Sequence, residues 1–277
     1  MDSFDRHNQR DLELPIHRKR LMNNIENDLT QDANVKAIFY GGSLGDSNTD
    51  IYSDIDLRIV VDRSVIQKYR AMKKQRVHNW GNILFFEGYE QESFIIAHFD
   101  SFIKADIFYY EENELTPSVW LQDLYIVYDP YNIVNDIQHR SNQLQYHFGI
   151  EDVEAWRTKY FSFIHEAYRR AARREYYYAM HCIDSLRLSI VAGWYMEMGI
   201  QPNSFGDWAK IEGERSPLKD WQLELLQKWL SSGDPDGIMM VVNGMRPEFE
   251  RLNKNLSSFV GLSAEEDLVK EIYNMVL

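Results

Sequence analysis

The sequence predicts an α+β protein, with a mixed β-sheet and flanking helices in an N-terminal domain and an α-helical bundle in a C-terminal domain. Strand-like runs alternate with short helical segments up to about residue 140, and almost everything after it has helical periodicity. A chain of 277 residues suits two ordinary domains, which we place at 1–140 and 141–277. Its hydrophobic content of 44% supplies enough apolar material for two cores.

The N-terminal half opens with a predicted helix over Leu14–Leu29, with Pro15 near its first turn, where a missing N–H is tolerated. A second helix is predicted from Val65 to about Lys74. Short apolar runs rich in β-branched and aromatic residues predict the strands. These runs are Val35–Tyr40, Arg58–Val61, Asn82–Glu87, Ser93–Phe99, Ile103–Tyr110 and Leu124–Tyr128. Together they predict one mixed sheet of about five or six strands.

The C-terminal half, from about Glu151, predicts long amphipathic helices. In the first, apolar residues recur three or four positions apart: Trp156, Tyr160, Phe163 and Ile164. Gly199 is placed to end the second helix, and Pro217 to open the next. The segment 231–235, rich in Ser, Gly and Pro, ends that helix, and two further helices complete the chain.

The most informative motif follows the first strand. Tyr40 is followed by Gly41, Gly42 and Ser43, so a tight turn that allows close approach of a ligand begins where the strand ends. The Ser43 hydroxyl can cap a short helix or hold a phosphate oxygen. Eleven residues after Ser43 comes Asp54-Ile55-Asp56-Leu57, which leads into the second strand. Residues two apart share a face of a strand, so two carboxylates point the same way and suit a cation such as Mg²⁺ between them.

This order of strand, Gly-Ser turn, short helix and Asp-hydrophobic-Asp resembles the nucleotidyltransferase superfamily that includes DNA polymerase β, and within it the antibiotic nucleotidyltransferases that act on aminoglycosides or lincosamides. The resemblance implies a catalytic domain at 1–140 and a helical substrate- or nucleotide-binding domain at 141–277. It also implies a third carboxylate on a later strand.

Asp106 is the residue that best fits this third carboxylate. It lies in mid-strand between Ala105 and Ile107, where a lone charge is costly to bury without a partner. A metal would be such a partner; the alternative is that Asp106 faces solvent or pairs with Lys104 or another base. Glu87 is a rival, but it precedes Gly88 and is more easily interpreted as the start of a turn.

The resemblance implies that Asp54, Asp56 and Asp106 are catalytic and hold Mg²⁺, and that Asp106 is the general base for an acceptor hydroxyl. Gly42 and Ser43 are expected to contact the nucleotide phosphates. The expected reaction transfers a nucleoside monophosphate to a hydroxyl group of a small molecule and releases pyrophosphate. The leading hypothesis is transfer of AMP from ATP to an aminoglycoside-type antibiotic. A protein or RNA acceptor, and a non-catalytic nucleotide-binding protein of the same fold, remain as alternatives.

Composition and net charge limit the classes of partner and the cellular compartment that we expect. The net charge of −13, from 43 acidic and 30 basic side chains, argues against long nucleic acid and modestly favours a cationic acceptor. No apolar run approaches the roughly 20 residues of a membrane span, and the first residues lack the pattern of a secretory signal. The single cysteine, Cys182, is expected to be a buried thiol, so we expect a cytoplasmic protein.

Three other features have plainer interpretations. The segment 169–178 carries four arginines and three tyrosines, which can contact a nucleotide or form a solvated helix face. Asp184 and Arg187 are three apart and close enough to pair on a helix. His98 and His165 lack ligand-spaced partners, and we expect structural or surface roles for them.

Overall fold

The computed structural model describes residues 5–277, and over this range the chain forms six strands and ten α-helices. It separates into two compact units, one ending at Gln145 and one covering Tyr146–Leu277. The predicted α+β class is confirmed, with the sheet in the first unit and helices alone in the second. The unit boundary falls after the predicted 140/141 position because the helix that spans it, α5 (Ile133–Ser141), packs Val134 and Ile137 into the first unit.

The strands are β1 (Val35–Tyr40), β2 (Ile55–Val61), β3 (Ile83–Glu87), β4 (Phe94–Phe99), β5 (Lys104–Tyr110) and β6 (Tyr125–Tyr128). The other helices of the first unit are α1 (Asn8–Thr30), α2 (Gly42–Gly45), α3 (Ile66–Ala71) and α4 (Lys73–Val77). Two helix predictions need correction. Helix α1 begins before Leu14, so Pro15 lies inside it and removes one backbone hydrogen bond. The helix predicted from Val65 is broken at Met72, whose ψ of 9° leaves the α region.

The strand order in the sheet is β3-β4-β5-β2-β1-β6. Strands β2 and β5 run parallel, whereas β1 pairs antiparallel with β2 and β6, and β4 antiparallel with β3 and β5. The parallel pair lies at the centre of the sheet, so equivalent positions on β2 and β5 lie side by side. This pairing is what brings distant parts of the sequence together at the site described below.

The two faces of the sheet differ in burial. One face packs on α1 through Leu14, Leu21, Ile25 and Leu29, and on Ile66, Val77 and Trp80. The opposite face is covered near β1 by α5, where Phe39 and Val60 are buried. Along β4 and β5 the residues of this opposite face are half-exposed and alternate with fully buried ones. Polar side chains on β5 therefore project from a partly open sheet face.

The second unit consists of α6 (Ile150–Ala172), α7 (Tyr176–Glu197), α8 (Asp220–Lys228), α9 (Pro235–Val260) and α10 (Glu266–Asn274). Phe249 lies in its core and stacks on Tyr160 with ring centroids 4.0 Å apart. The predicted helix start at Pro217 is wrong, since α8 begins at Asp220; Pro235, by contrast, is the first residue of α9, next to the Asp234 cap.

Two further expectations concern membrane spans and the single cysteine. None of the helices in residues 5–277 has the length and apolar character that crossing a membrane requires. Cys182 is fully buried on α7, and burial raises the pKa of its thiol to about 11. A thiol in this environment is a structural, unreactive one.

Candidate active site

The Gly-Gly-Ser turn lies directly beside the start of β2. The Gly41 N–H donates to the Asp56 carbonyl oxygen at 3.0 Å, which fixes the turn against that strand. Gly42 has a φ of +56°, in the left-handed region that favours glycine. A Cβ on Gly42 would overlap the Asp56 carboxylate, and a Cβ on Gly41 would overlap the Arg58 guanidinium. Glycine is therefore required at both positions for these side chains to lie under the turn.

The three predicted carboxylates come together at one end of the parallel strand pair. Asp56 on β2 and Asp106 on β5 are direct partners in the register. Asp54 immediately precedes β2, one position before the pair formed by Ile55 and Ala105. The pairing of β2 with β5 therefore brings three acidic side chains from distant parts of the sequence into one cluster.

A lysine side chain joins two members of this cluster. The Lys104 ammonium lies 2.8 Å from Asp54 Oδ2 and 3.1 Å from Asp106 Oδ2. Burial alone would lower the pKa of Lys104, but the hydrogen bonds and charges of the two aspartates outweigh it and raise the pKa. The pairing of Asp106 with Lys104, which the sequence left open as an alternative to a metal, is present.

The surroundings of Asp56 and Asp106 raise the pKa of both carboxyl groups. Burial, together with the negative charge of Asp54, raises the pKa of Asp56 above its ordinary value. Burial also raises the pKa of Asp106, although the Lys104 ammonium opposes the shift. A carboxylate that resists ionisation binds a proton more readily, which is the property required of a general base.

Three buried polar atoms around this cluster have no hydrogen-bond partner within residues 5–277. They are Ser43 Oγ, Asp106 Oδ1 and Arg58 Nη1. Buried polar atoms in folded proteins are nearly always paired, so three unpaired ones around one carboxylate cluster are consistent with a ligand site. The set contains a hydroxyl, a carboxylate oxygen and a guanidinium donor, which match a metal-bound phosphate chain.

The donor chemistry fits Mg²⁺, because the three aspartates offer hard oxygen ligands and Asp106 Oδ1 is unpaired. In the described part of the chain, however, no group of three or more His, Cys, Asp or Glu side chains is arranged to hold a metal ion. Lys104 lies between Asp54 and Asp106 instead. A metal held by both aspartates would have to displace this ammonium.

Glu87, the alternative to Asp106, and Arg170 of the 169–178 segment have partners outside the carboxylate cluster. Glu87 lies on β3 and contacts His98 Nε2 at 2.5 Å, while the His98 ring stacks on Phe85. In the 169–178 segment, Arg170 pairs with Glu166 and Glu175. This favours the solvated helix face over a nucleotide contact for that arginine.

The predicted pair of Asp184 and Arg187 is present at 3.2 Å. Arg187 also donates to the Leu226 carbonyl oxygen at 3.0 Å, so it links α7 to α8. His165 is within α6, and its Nε2 is buried without a partner among the described residues.

The sequence analysis missed Arg58 as a member of the site. Arg58 is two residues after Asp56 and therefore on the same face of β2. That spacing was the available signal, because a charged residue in an otherwise apolar strand needs a partner for the same reason that Asp106 does.

The chain matches no family model and no curated protein. Two solved structures are similar to it over most of its length. An aminoglycoside 6-adenyltransferase from Bacillus subtilis is 13% identical, with 92% of this chain and 96% of that chain covered and a TM-score of 0.42. A nucleotidyltransferase-like protein from Exiguobacterium sibiricum is 12% identical, with 87% and 77% covered and a TM-score of 0.44.

Proposed function

We propose that this protein is a Mg²⁺-dependent nucleotidyltransferase that moves AMP from ATP to a hydroxyl group of a small molecule and releases pyrophosphate. The observation that carries the proposal is the direct pairing of Asp56 with Asp106, next to Asp54 and under the Gly-Gly-Ser turn. The turn also brings a buried, unpaired serine hydroxyl to the same end of the parallel strand pair.

In this proposal Asp54, Asp56 and Asp106 would hold the metal. When bound, Mg²⁺ would neutralise the triphosphate and orient its α-phosphate for in-line attack. Ser43 Oγ, buried and unpaired, and the backbone at Gly42 contact the phosphates. No Cβ projects from Gly41 or Gly42, so the turn lies close to the strand that carries Asp56.

Asp106 accepts the proton of the acceptor hydroxyl. The hydroxyl oxygen forms a bond to the α-phosphorus, the bond from that phosphorus to the β-bridging oxygen breaks, and pyrophosphate leaves with the bonding electrons. Burial raises the pKa of Asp106, which suits it to proton transfer. Lys104, now bound to Asp54 and Asp106, has to release them for the metal to bind.

The acceptor in this proposal is a cationic small molecule of the aminoglycoside type. The net charge of −13 favours positively charged partners by long-range attraction and disfavours nucleic acid. The half-exposed face of β5, which carries Asp106, gives a hydroxyl-bearing molecule access to the base.

The Lys104 bridge favours one alternative, a nucleotide-binding protein without turnover. Lys104 neutralises the aspartates that a metal would need, so the fold could bind a nucleotide and transfer nothing. The two functions differ in one observable, the metal-dependent release of pyrophosphate.

The test is incubation of the purified chain with each of the four NTPs, Mg²⁺ and a panel of aminoglycosides and lincosamides, with pyrophosphate and acceptor mass recorded. The proposal predicts a mass gain of one nucleoside monophosphate. Asp54→Asn, Asp56→Asn and Asp106→Asn should each abolish it with an unchanged circular dichroism spectrum. Asp100→Asn, in an exposed turn between β4 and β5, is the matched control and should retain activity. Nucleotide binding with no turnover for any acceptor would favour the alternative.

A further inference from the structure

Arg58 lies in the middle of β2, at the centre of the sheet. Its cross-strand partners are Phe39 on β1 and Phe108 on β5. It shares a face with Asp56, two residues earlier, and therefore lies on the side of the sheet that carries the carboxylate cluster.

The guanidinium is held between the glycine turn and an aromatic ring. A Cβ on Gly41 would overlap Nη1 and lie 2.9 Å from Cζ, so the side chain lies directly against the backbone of the turn. Its Cζ is 5.4 Å from the centroid of the Phe108 ring, within the range of a cation–π contact. These contacts fix the orientation of the planar group.

Despite this packing, Nη1 is buried and donates to no atom of the described residues. Leaving a charged donor buried without an acceptor costs free energy, and the cost is recovered when an anion supplies the acceptor. Ser43 Oγ, on the same turn, is buried and unpaired as well. Guanidinium groups bind phosphate oxygens through two parallel hydrogen bonds, a geometry that a lysine lacks.

We propose that Arg58 is a phosphate-binding residue that holds the phosphate chain of the nucleotide donor beneath the Gly41-Gly42 turn. The inference rests on the proposed nucleotidyltransferase function and extends it to a residue outside the Gly-Ser and Asp-X-Asp motif. Arg58 supplies the positive charge that a triphosphate needs beside three aspartates. It also places the leaving pyrophosphate on the Asp56 side of the turn.

The test uses inorganic tripolyphosphate and ATP as probes, with and without Mg²⁺, and adenosine as a probe that lacks phosphate. Titration calorimetry gives the dissociation constants for the wild type, Arg58→Met, Arg58→Gln and Arg58→Lys. We expect Arg58→Met and Arg58→Gln to weaken tripolyphosphate and ATP by about 10–100-fold. Adenosine should bind unchanged, and Arg58→Lys should restore part of the loss.

Arg63→Met is the matched control, since Arg63 lies just after β2 with a side chain that is 84% exposed. It removes the same charge from the chain and should leave both phosphate affinities unchanged. The thermal midpoint of each variant reports folding. If Arg58→Met does not fold, Arg58→Gln and Arg58→Lys decide the outcome.

If Arg58 has only a structural role, the Arg58 variants have a lower thermal midpoint than the wild type. Their tripolyphosphate affinity then stays within about twofold of the wild type, and that result overturns the inference. A wild type that binds neither tripolyphosphate nor ATP overturns it too.

The inference and the proposed function fail separately. Phosphate binding that depends on Arg58, with no turnover for any acceptor, would support the inference and contradict the enzyme. Turnover with an unchanged KM for ATP in Arg58→Met would support the enzyme and contradict the inference.

Discussion

Asp56 and Asp106 are separated by fifty positions in the sequence and are direct neighbours across the parallel strands β2 and β5. Both are held in an environment that raises their pKa, chiefly through burial. The fold therefore keeps two carboxylates in a place where their charge is unfavourable. Such an arrangement is typical of functional sites, where stability is given up for chemistry.

Asp56→Asn should abolish activity without lowering the stability of the fold. Because burial and Asp54 raise the pKa of Asp56, the ionised form is disfavoured in the folded state, and the stability that depends on this group falls as pH rises from 3.8 through the raised pKa. At pH 7 without metal we expect the variant to have a free energy of unfolding equal to or above that of the wild type, with pyrophosphate release abolished. Urea unfolding of the variant and of Asp100→Asn measures this, and a clear destabilisation specific to Asp56→Asn would contradict it.

Lys104→Met should make stability depend on Mg²⁺. Removing the ammonium leaves Asp54 and Asp106 uncompensated, and we expect a loss of about 1–2 kcal/mol in chelator. Added Mg²⁺ should restore the thermal midpoint of the variant by more than it shifts that of the wild type. Since the pKa of Lys104 is raised, its contribution is complete below pH 10.5 and is lost only at higher pH, so pH 7 is a suitable condition.

Lys104→Arg is the control for Lys104→Met, because it keeps the charge beside both aspartates. An equal loss of stability in the two variants, unaffected by Mg²⁺, would show that Lys104 acts through packing alone.

Gly42→Ala should damage the site more than the fold. The φ of +56° costs an alanine about 1 kcal/mol, and its Cβ would also overlap the Asp56 carboxylate. Gly199→Ala is the matched control, since Gly199 has a φ of +68° and no neighbour within 4 Å of the added atom. We expect similar backbone strain in both, but an activity loss of about 100-fold in Gly42→Ala only. Equal activity in the two variants would mean that the turn does not position Asp56.

The sequence could single out the carboxylates as candidates because the motif is local and the resemblance implied a third carboxylate on a later strand. Asp54 and Asp56, two positions apart, and Asp106, flanked by Ala105 and Ile107, can be identified without knowing which strands pair. The parallel pairing that makes Asp56 and Asp106 neighbours is a long-range property. For that reason the sequence could offer the Lys104 contact only as one of several alternatives.

The remaining differences concern element boundaries. Nothing in the residues around Met72 signalled that its backbone would leave the α region and divide the helix predicted from Val65. Pro217 had the composition of a helix start, but the chain forms its first turn only after Lys219. Element boundaries of this kind depend on packing that propensity does not describe.

Asp32 provides a pH-dependent test of the first unit that is independent of the proposed chemistry. Burial alone would raise the pKa of Asp32, but hydrogen bonds from Tyr69 and Arg76 outweigh it and lower the pKa to about 2. Arg76 Nη1 donates at 2.6 Å and Tyr69 Oη at 2.5 Å to the same oxygen, Oδ2. A lowered pKa means that the folded state favours the ionised form, so this stabilisation is complete above pH 3.8 and is lost as pH falls through about 2.

Asp32→Asn should therefore be less stable than the wild type by about 1 kcal/mol at pH 6, a value reduced from the full shift because solvent screens a partly exposed group. The difference should shrink below pH 4 and be lost as pH falls through about 2. Urea unfolding at a series of pH values measures it, with Asp100→Asn as the control for replacement of an exposed aspartate. A difference between Asp32→Asn and the wild type that stays constant from pH 6 to pH 2 would mean that the hydrogen bonds to Asp32 do not depend on its charge.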